Sequence, residues 1–76
     1  MEDVWMILRQ VEPDVDDMNC EELIDGRILD SFSVLELIGR LEDYFEIRIS
    51  PGEVTAANFN SVRSICAMVQ RLRQGE

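Results

Sequence analysis

The chain contains no histidine and no lysine. Histidine is the side chain whose charge changes nearest neutral pH, the usual general base and the commonest metal ligand, so its absence lowers the expectation of an enzyme. With no lysine, all seven bases are arginine, set against sixteen acids for a net charge of −9. Such a surface repels nucleic-acid phosphates and anionic lipid and attracts basic protein surfaces. Nucleic-acid binding is therefore not expected. No apolar run approaches the roughly 20 residues that span a bilayer, so membrane insertion is not expected either. The N-terminal MEDVWMILRQ is acidic, with no basic n-region and no long apolar core, and does not read as a signal peptide. Cysteine is scarce: Cys20 and Cys66 stand far apart with no CxxC spacing. They read as reduced thiols buried as small hydrophobes in a cytoplasmic chain.

What is present is enough for one small globule. Seventy-six residues suit a single domain, 1–76, and the 46% hydrophobic content argues against wholesale disorder. Val4, Ile7, Leu8 and Val11 repeat at i, i+3, i+4, i+7 and predict a first helix that Pro13 ends; Trp5 and Met6 flank the stripe. Val34, Leu37, Ile38, Leu41 and Phe45 predict a second helix over Ser31 to Phe45, the strongest periodic signal in the chain. Phe32, Leu35 and Gly39 fall on a neighbouring face beside Glu36, as added core or as an exposed docking patch. A turn at Ser50-Pro51-Gly52 and a short helix near Thr55 to Phe59 follow. Val62, Ile65, Cys66, Val69 and Leu72 predict the last helix, capped by Asn60 or Ser61, with Arg71 and Arg73 at its favourable C-terminal end. Gln74-Gly75-Glu76 is expected to fray. The fold class is all-α: a small bundle of three main helices plus one short helix, with a long first loop.

That loop, Glu12 to Asp30, carries eight acids against the single base Arg27. Leu23, Ile24, Ile28 and Leu29 read as its anchors, and Asp25-Gly26 as a turn in which glycine is free to take positive φ. The acids do not make a calcium loop. Counted from Asp14, position five is Met18 and position six is Asn19, where a ligand and a glycine are needed. Adjacent pairs such as Glu21-Glu22 and Glu42-Asp43 do not face each other on a helix, so they read as solvated rather than as an acid–base pair. No metal site and no catalytic residue is expected.

Asp30-Ser31 stands at the start of the second helix. Asp30 as N-cap accounts for the pair by itself. A serine in the first helical turn is also where a phosphate ester is best stabilised, because free backbone N–H groups and the positive end of the helix dipole meet there. The dipeptide alone leaves both readings open.

The longer run LIDGRILDSFSVLELIGRLEDYFEIRIS resembles the phosphopantetheine attachment region of acyl carrier proteins. In that family an Asp-Ser-Leu-like triplet opens the second helix, and its serine bears a phosphopantetheine arm. Here the triplet is Asp30-Ser31-Phe32, the approach is Gly26-Arg27-Ile28-Leu29, and the helix closes on Tyr44-Phe45. The resemblance implies covalent 4′-phosphopantetheine on Ser31, with Asp30 the acid that a phosphopantetheinyl transferase and its magnesium contact. It implies that Phe32, Leu35, Glu36 and Gly39 form the face that partner enzymes read. Those partners are an adenylating or acylating ligase and a downstream acyltransferase or synthase. Phe32 in place of leucine, and Arg40 in a helix that is mostly acidic or neutral in fatty-acid carriers, depart from the fatty-acid pattern. The Leu-Asp-Ser-Phe form looks more like the D-alanyl carriers and related stand-alone aminoacyl or acyl carriers.

The resemblance implies a carrier and not an enzyme; the small acidic surface suggests a monomer, and the unpaired cysteines and acidic N-terminus a cytoplasmic setting. Such a carrier holds an acyl or aminoacyl group, D-alanyl for preference, as a thioester. Tethering raises the local concentration of that group at each partner, and the acidic surface favours brief, salt-sensitive encounters. The alternative is a cofactor-free helical interaction module that docks through the same face of the second helix, with Asp30-Ser31 only a cap. An exposed Ser31 with Phe32 and Leu35 on the rim beside it favours the carrier.

Overall fold

In the computed structural model, residues 2–74 are described; the fraying expected of Gly75 and Glu76 lies outside them. Helix α1, Glu2–Val11, turns Val4, Ile7 and Leu8 into the core. It stops where expected: Glu12 still donates its N–H to Leu8 O at 2.8 Å, and Pro13 has no N–H with which to continue. Helix α2, Ser31–Phe45, buries Leu37 and Leu41 fully, while Val34, Ile38 and Phe45 pack against the core at its edge. Its far end is tied off by one residue. Glu42 O accepts from Glu46, which sits in the left-handed region at φ 55°, and the Glu42 carboxylate accepts from Ile49 N–H at 2.8 Å.

Ser50-Pro51-Gly52 tightens into a 3-10 turn over Pro51–Glu53 rather than a simple bend. Helix α3, Ala56–Phe59, is capped by the Thr55 hydroxyl and buries Phe59. Helix α4, Val62–Arg73, is capped by Ser61, whose Oγ accepts from Ser64 N–H while Ser64 Oγ accepts from Ser61 N–H. Of the two cap candidates, Ser61 takes the role and leaves Asn60 for another. Met68 joins the buried stripe of α4. Cys20 and Cys66 are half-buried free thiols, less enclosed than expected. Helix α1 packs on α2 and α4, α2 on α4, and α3 on α4. The architecture is thus the expected all-α bundle.

The long loop is held differently from the expectation. Leu23 and Leu29 are buried and Ile24 is partly so, but Ile28 is 39% exposed and anchors little. Val15, not foreseen, is buried in its place. Gly26 is needed for space and not for positive φ: a Cβ there would lie 2.6 Å from Glu22 O. The left-handed residue is its neighbour Arg27, at φ 61°. Gly39 is the opposite case, with open space where a Cβ would stand. Gly26→Ala is expected to lower stability by about 1–3 kcal/mol, the usual cost of overpacking. Gly39→Ala, inside an exposed helix turn, is expected to raise it by about 0.8–1.0 kcal/mol. Urea unfolding of the two variants reads both signs.

Candidate functional site

The first residue of α2 is Ser31. Its side chain is exposed, and its hydroxyl makes no hydrogen bond among the described residues. The capping work is done by Asp30, whose Oδ1 accepts from Ser33 N–H at 2.8 Å with extended backbone at φ −93°, ψ 180°. The acid therefore serves the helix and leaves the hydroxyl beside it free. The Ser33 N–H also holds the Asp30 carboxyl below the ordinary carboxylate range.

Asp30, Ser31, Val34 and Leu35 form one side of an open cleft of about 390 Å³. The opposite side comes from Val54, Thr55, Ala56 and Phe59, and Ile24 and Leu29 of the long loop complete the lining. Sequence periodicity predicts the α2 side. The Val54–Phe59 side is invisible to it, because residues some twenty positions away meet α2 only once α3 packs on α4. A capping Thr55 ahead of Ala56-Ala57 signals a short helix and says nothing of what that helix faces.

Phe32 and Leu35 are 76% and 67% exposed, which makes the second apolar set of α2 surface and not core. With Glu36 and the exposed Gly39 they occupy positions i, i+3, i+4 and i+7, one face of the helix. Only Leu35 of that face also lines the cleft beside Ser31. Glu36 is half-buried and its charge is spent within the chain. Arg40 Nη2 donates to Glu36 Oε2 at 3.0 Å, and Arg40 Nη1 donates to Gln10 Oε1 at 3.1 Å, tying α2 to α1. The face next to Ser31 is accordingly apolar, and acids are absent from the first turn of α2.

Behind the cleft, the Arg71 guanidinium donates to both carboxylate oxygens of Glu53, and Asn58 Nδ2 donates to Glu53 Oε1. This fork holds the 3-10 turn ahead of α3 to α4. The Arg71 hydrogen bonds keep the Glu53 carboxyl below its ordinary range. Two carboxylates, Asp30 and Glu53, thus have depressed pKa values in the folded chain. Their contribution to stability is fully present above the unfolded carboxylate range of about 4 and is lost as the pH falls through the lower folded values. Acid titration followed by far-UV circular dichroism is expected to show the midpoint in urea falling below about pH 4. Asp30→Asn and Glu53→Gln together are expected to flatten that fall.

Among the described residues, no group of three or more acids and cysteines is placed to hold a metal ion. No helix among them is long and apolar enough to cross a membrane.

A phosphopantetheine arm fits what is present. An unengaged primary hydroxyl stands at a helix N-terminus, where the dipole favours a phosphodiester. It opens onto solvent on one side and onto an apolar cleft on the other.

Comparison with known proteins agrees with this geometry. The family model for the phosphopantetheine attachment site matches residues 26–69. A protein of Streptococcus uberis named D-alanyl carrier protein is 38% identical over 60 residues, which is 79% of this chain and 76% of its own. Proteins of the same name from Streptococcus sanguinis and Streptococcus mutans are 40% and 37% identical over the same shares. No solved structure matches the chain. With a family model over more than half its length and relatives of this identity along most of it, the chain belongs to the phosphopantetheine attachment-site family and is a phosphopantetheine-binding carrier protein, not itself an enzyme.

Proposed function

We propose that residues 1–76 act as one carrier domain whose Ser31 Oγ bears the 4′-phosphopantetheine arm and whose cargo is D-alanyl. The observation that carries the reading is the division of labour at the start of α2. Asp30 caps the helix, so Ser31 is exposed, without a hydrogen bond among the described residues, and free for a transferase to reach. The D-alanyl cargo is supported by the relatives of that name along most of the chain.

When bound, the arm supplies a terminal thiol that holds the aminoacyl group as a thioester. The chain's own residues do the rest. Ser31 Oγ is the nucleophile: it would form the new P–O bond as the pyrophosphate bond of coenzyme A breaks and 3′,5′-adenosine bisphosphate leaves, the serine hydroxyl proton passing to a base on the transferase. Asp30, ionised at neutral pH, offers its second oxygen to the transferase's magnesium. The Ser31 and Phe32 N–H groups of the first turn of α2 would be available to the phosphodiester, the Ser33 N–H being taken by Asp30. Phe32, Leu35 and Gly39 give partner enzymes an apolar patch next to the arm. Glu36, paired with Arg40, gives that patch an edge without net charge. Docking is thus apolar near Ser31, and the acids of the Glu12–Asp30 loop supply the longer-range attraction to basic partners. The partners are a phosphopantetheinyl transferase, an adenylating ligase that loads the thiol, and an acyltransferase that unloads it. The setting is the cytoplasm, and the working form is a monomer.

The test is intact mass after incubation with coenzyme A, magnesium and a broad-specificity phosphopantetheinyl transferase, with Ser31→Ala alongside. A gain of one phosphopantetheine unit in the wild type alone is expected. A gain in both proteins, or in neither, overturns the attachment site. Loading by an ATP-dependent D-alanine ligase, read as one further alanyl unit lost on hydroxylamine treatment, then tests the cargo.

A further inference from the structure

Asn60 is relieved of capping α4 by Ser61, and the structure uses it elsewhere. The N–H groups of Leu23, Ile24 and Asp25 all end on it. Leu23 N–H donates to Asn60 O at 2.9 Å, and Ile24 and Asp25 N–H donate to Asn60 Oδ1 at 2.9 and 3.0 Å. In return Asn60 Nδ2 donates to Asp25 Oδ2 at 3.0 Å. The orientation of the amide is forced, since two backbone donors need its oxygen and a carboxylate needs its NH₂.

These three donors open a single helical turn. Within it Gly26 N–H reaches Glu22 O, and Arg27 N–H reaches Ile24 O at 3.0 Å. The first N–H groups of such a turn have no acceptor inside it. Asn60 supplies acceptors from 35 and 36 residues away. The chain then leaves through the left-handed Arg27, and Leu29 N–H returns to Leu23 O at 2.9 Å with its side chain buried. The next two residues are Asp30 and Ser31. Asn60 is itself fixed, because its N–H closes α3 on Ala56 O and the following residue caps α4.

We infer that Asn60 is a positioning residue for modification of Ser31. It holds the turn that delivers Asp30-Ser31 to the start of α2, and it ties that turn to α3, the opposite side of the cleft. The inference rests on Ser31 being the attachment site. Without the two bonds to Asn60 Oδ1 and the one from Asn60 Nδ2 the turn samples other arrangements, and only a fraction of molecules present Ser31 as the transferase needs it. The apparent KM for the carrier then rises as the inverse of that fraction, while kcat, measured on correctly seated complexes, stays put.

The experiment is steady-state transfer from coenzyme A to the full chain, with magnesium and the same transferase, at a temperature where every variant is folded by circular dichroism. Amide hydrogen exchange is read in parallel. Asn60→Ala is expected to raise KM about fivefold or more with kcat within about twofold of the wild type. The Ile24 and Asp25 amides, whose acceptor is Asn60 Oδ1, should lose protection, while Leu23, bonded to the main-chain oxygen that alanine keeps, and the centres of α1 and α2 should change less. Asn60→Asp keeps the acceptor oxygen but sets two carboxylates together, so KM rises as well. Adding Asp25→Asn restores one donor and one acceptor in exchanged places and is expected to recover most of the KM. That rescue is also the test should Asn60→Ala fail to fold.

A wild-type KM in Asn60→Ala, or a KM that follows melting temperature across the set with no rescue in the exchanged pair, overturns the inference alone. A wild type that gains no arm, or gains it with Ser31 replaced by alanine, overturns the attachment reading and this inference with it.

Discussion

Ser31→Ala is expected to take up no phosphopantetheine at any enzyme concentration, yet to unfold at the same urea midpoint as the wild type. The two halves of that result have separate causes. Modification needs an oxygen nucleophile at position 31. The neighbouring hydroxyl, Ser33, is half-buried and its N–H is the one bonded to the Asp30 cap, so it is no substitute. Stability should not follow, because the Ser31 side chain is exposed and makes no hydrogen bond among the described residues. Alanine is also the better helix former, so any drift is expected upward and within about 0.5 kcal/mol. Asp30→Ala gives the reverse pattern. It removes the cap from α2, lowers the melting temperature, and slows modification without abolishing it, since the hydroxyl remains. A Ser31→Ala variant that melted several degrees lower would mean that the hydroxyl is engaged in the fold, and the division of labour between the two residues would fall.

Phe59→Ala should be the most damaging single truncation. Phe59 is 1% exposed and heads the fully buried side chains by volume. Emptying such a site costs about 3–5 kcal/mol. At roughly 0.05–0.15 kcal/mol per residue, the whole chain has about 4–11 kcal/mol to lose. The loss is also local in its consequences. Helix α3 has four residues, and Phe59 is its one buried side chain. An isolated helix needs about 12–15 residues to persist in water, so α3 without this anchor is expected to detach. Detachment removes Val54, Thr55 and Ala56 from the side of the cleft facing Ser31. The expected readings are a melting temperature lower by at least about 12 °C and early exchange of the α3 amides. Leu41→Ala, on α2 and fully buried, should destabilise by about 2–5 kcal/mol while leaving α3 attached as long as the chain is folded. A shift of under about 1 kcal/mol in Phe59→Ala would show that α3 is held by its polar ties alone.

The three main helices were legible because each buries one stripe, and a stripe at 3.6-residue spacing is written into the local order of residues. The limits of α2 were legible for the same reason, together with Asp30, whose capping chemistry needs only the next three residues. The proposal of Ser31 as the attachment site draws on the resemblance of its surroundings, which local spacing alone does not supply. The exposed state of Phe32 and Leu35 was not, since an apolar residue off the main stripe carries no mark of whether another helix will cover it. The Asp25-Gly26 pair predicts a glycine in positive φ. The structure needs it for a close approach to Glu22 O, and Arg27 takes the left-handed position. Composition makes Ile28 an anchor of the loop, but it stays exposed and Val15 is buried instead.

The sequence by itself determined the helices, the charge, and the acid–hydroxyl pair at the head of α2, all features set by residues within one or two turns of each other. Only the tertiary structure decided the second side of the cleft, the fork from Arg71 to Glu53, and the hold of Asn60 on Leu23, Ile24 and Asp25. Each of those joins residues 18 or more positions apart. Polar side chains such as Asn60 and Arg71 have many acceptable partners along a chain. Which partner each one meets depends on which helices lie side by side, and burial of Phe59, Leu37, Leu41 and Ile65 in one core settles that.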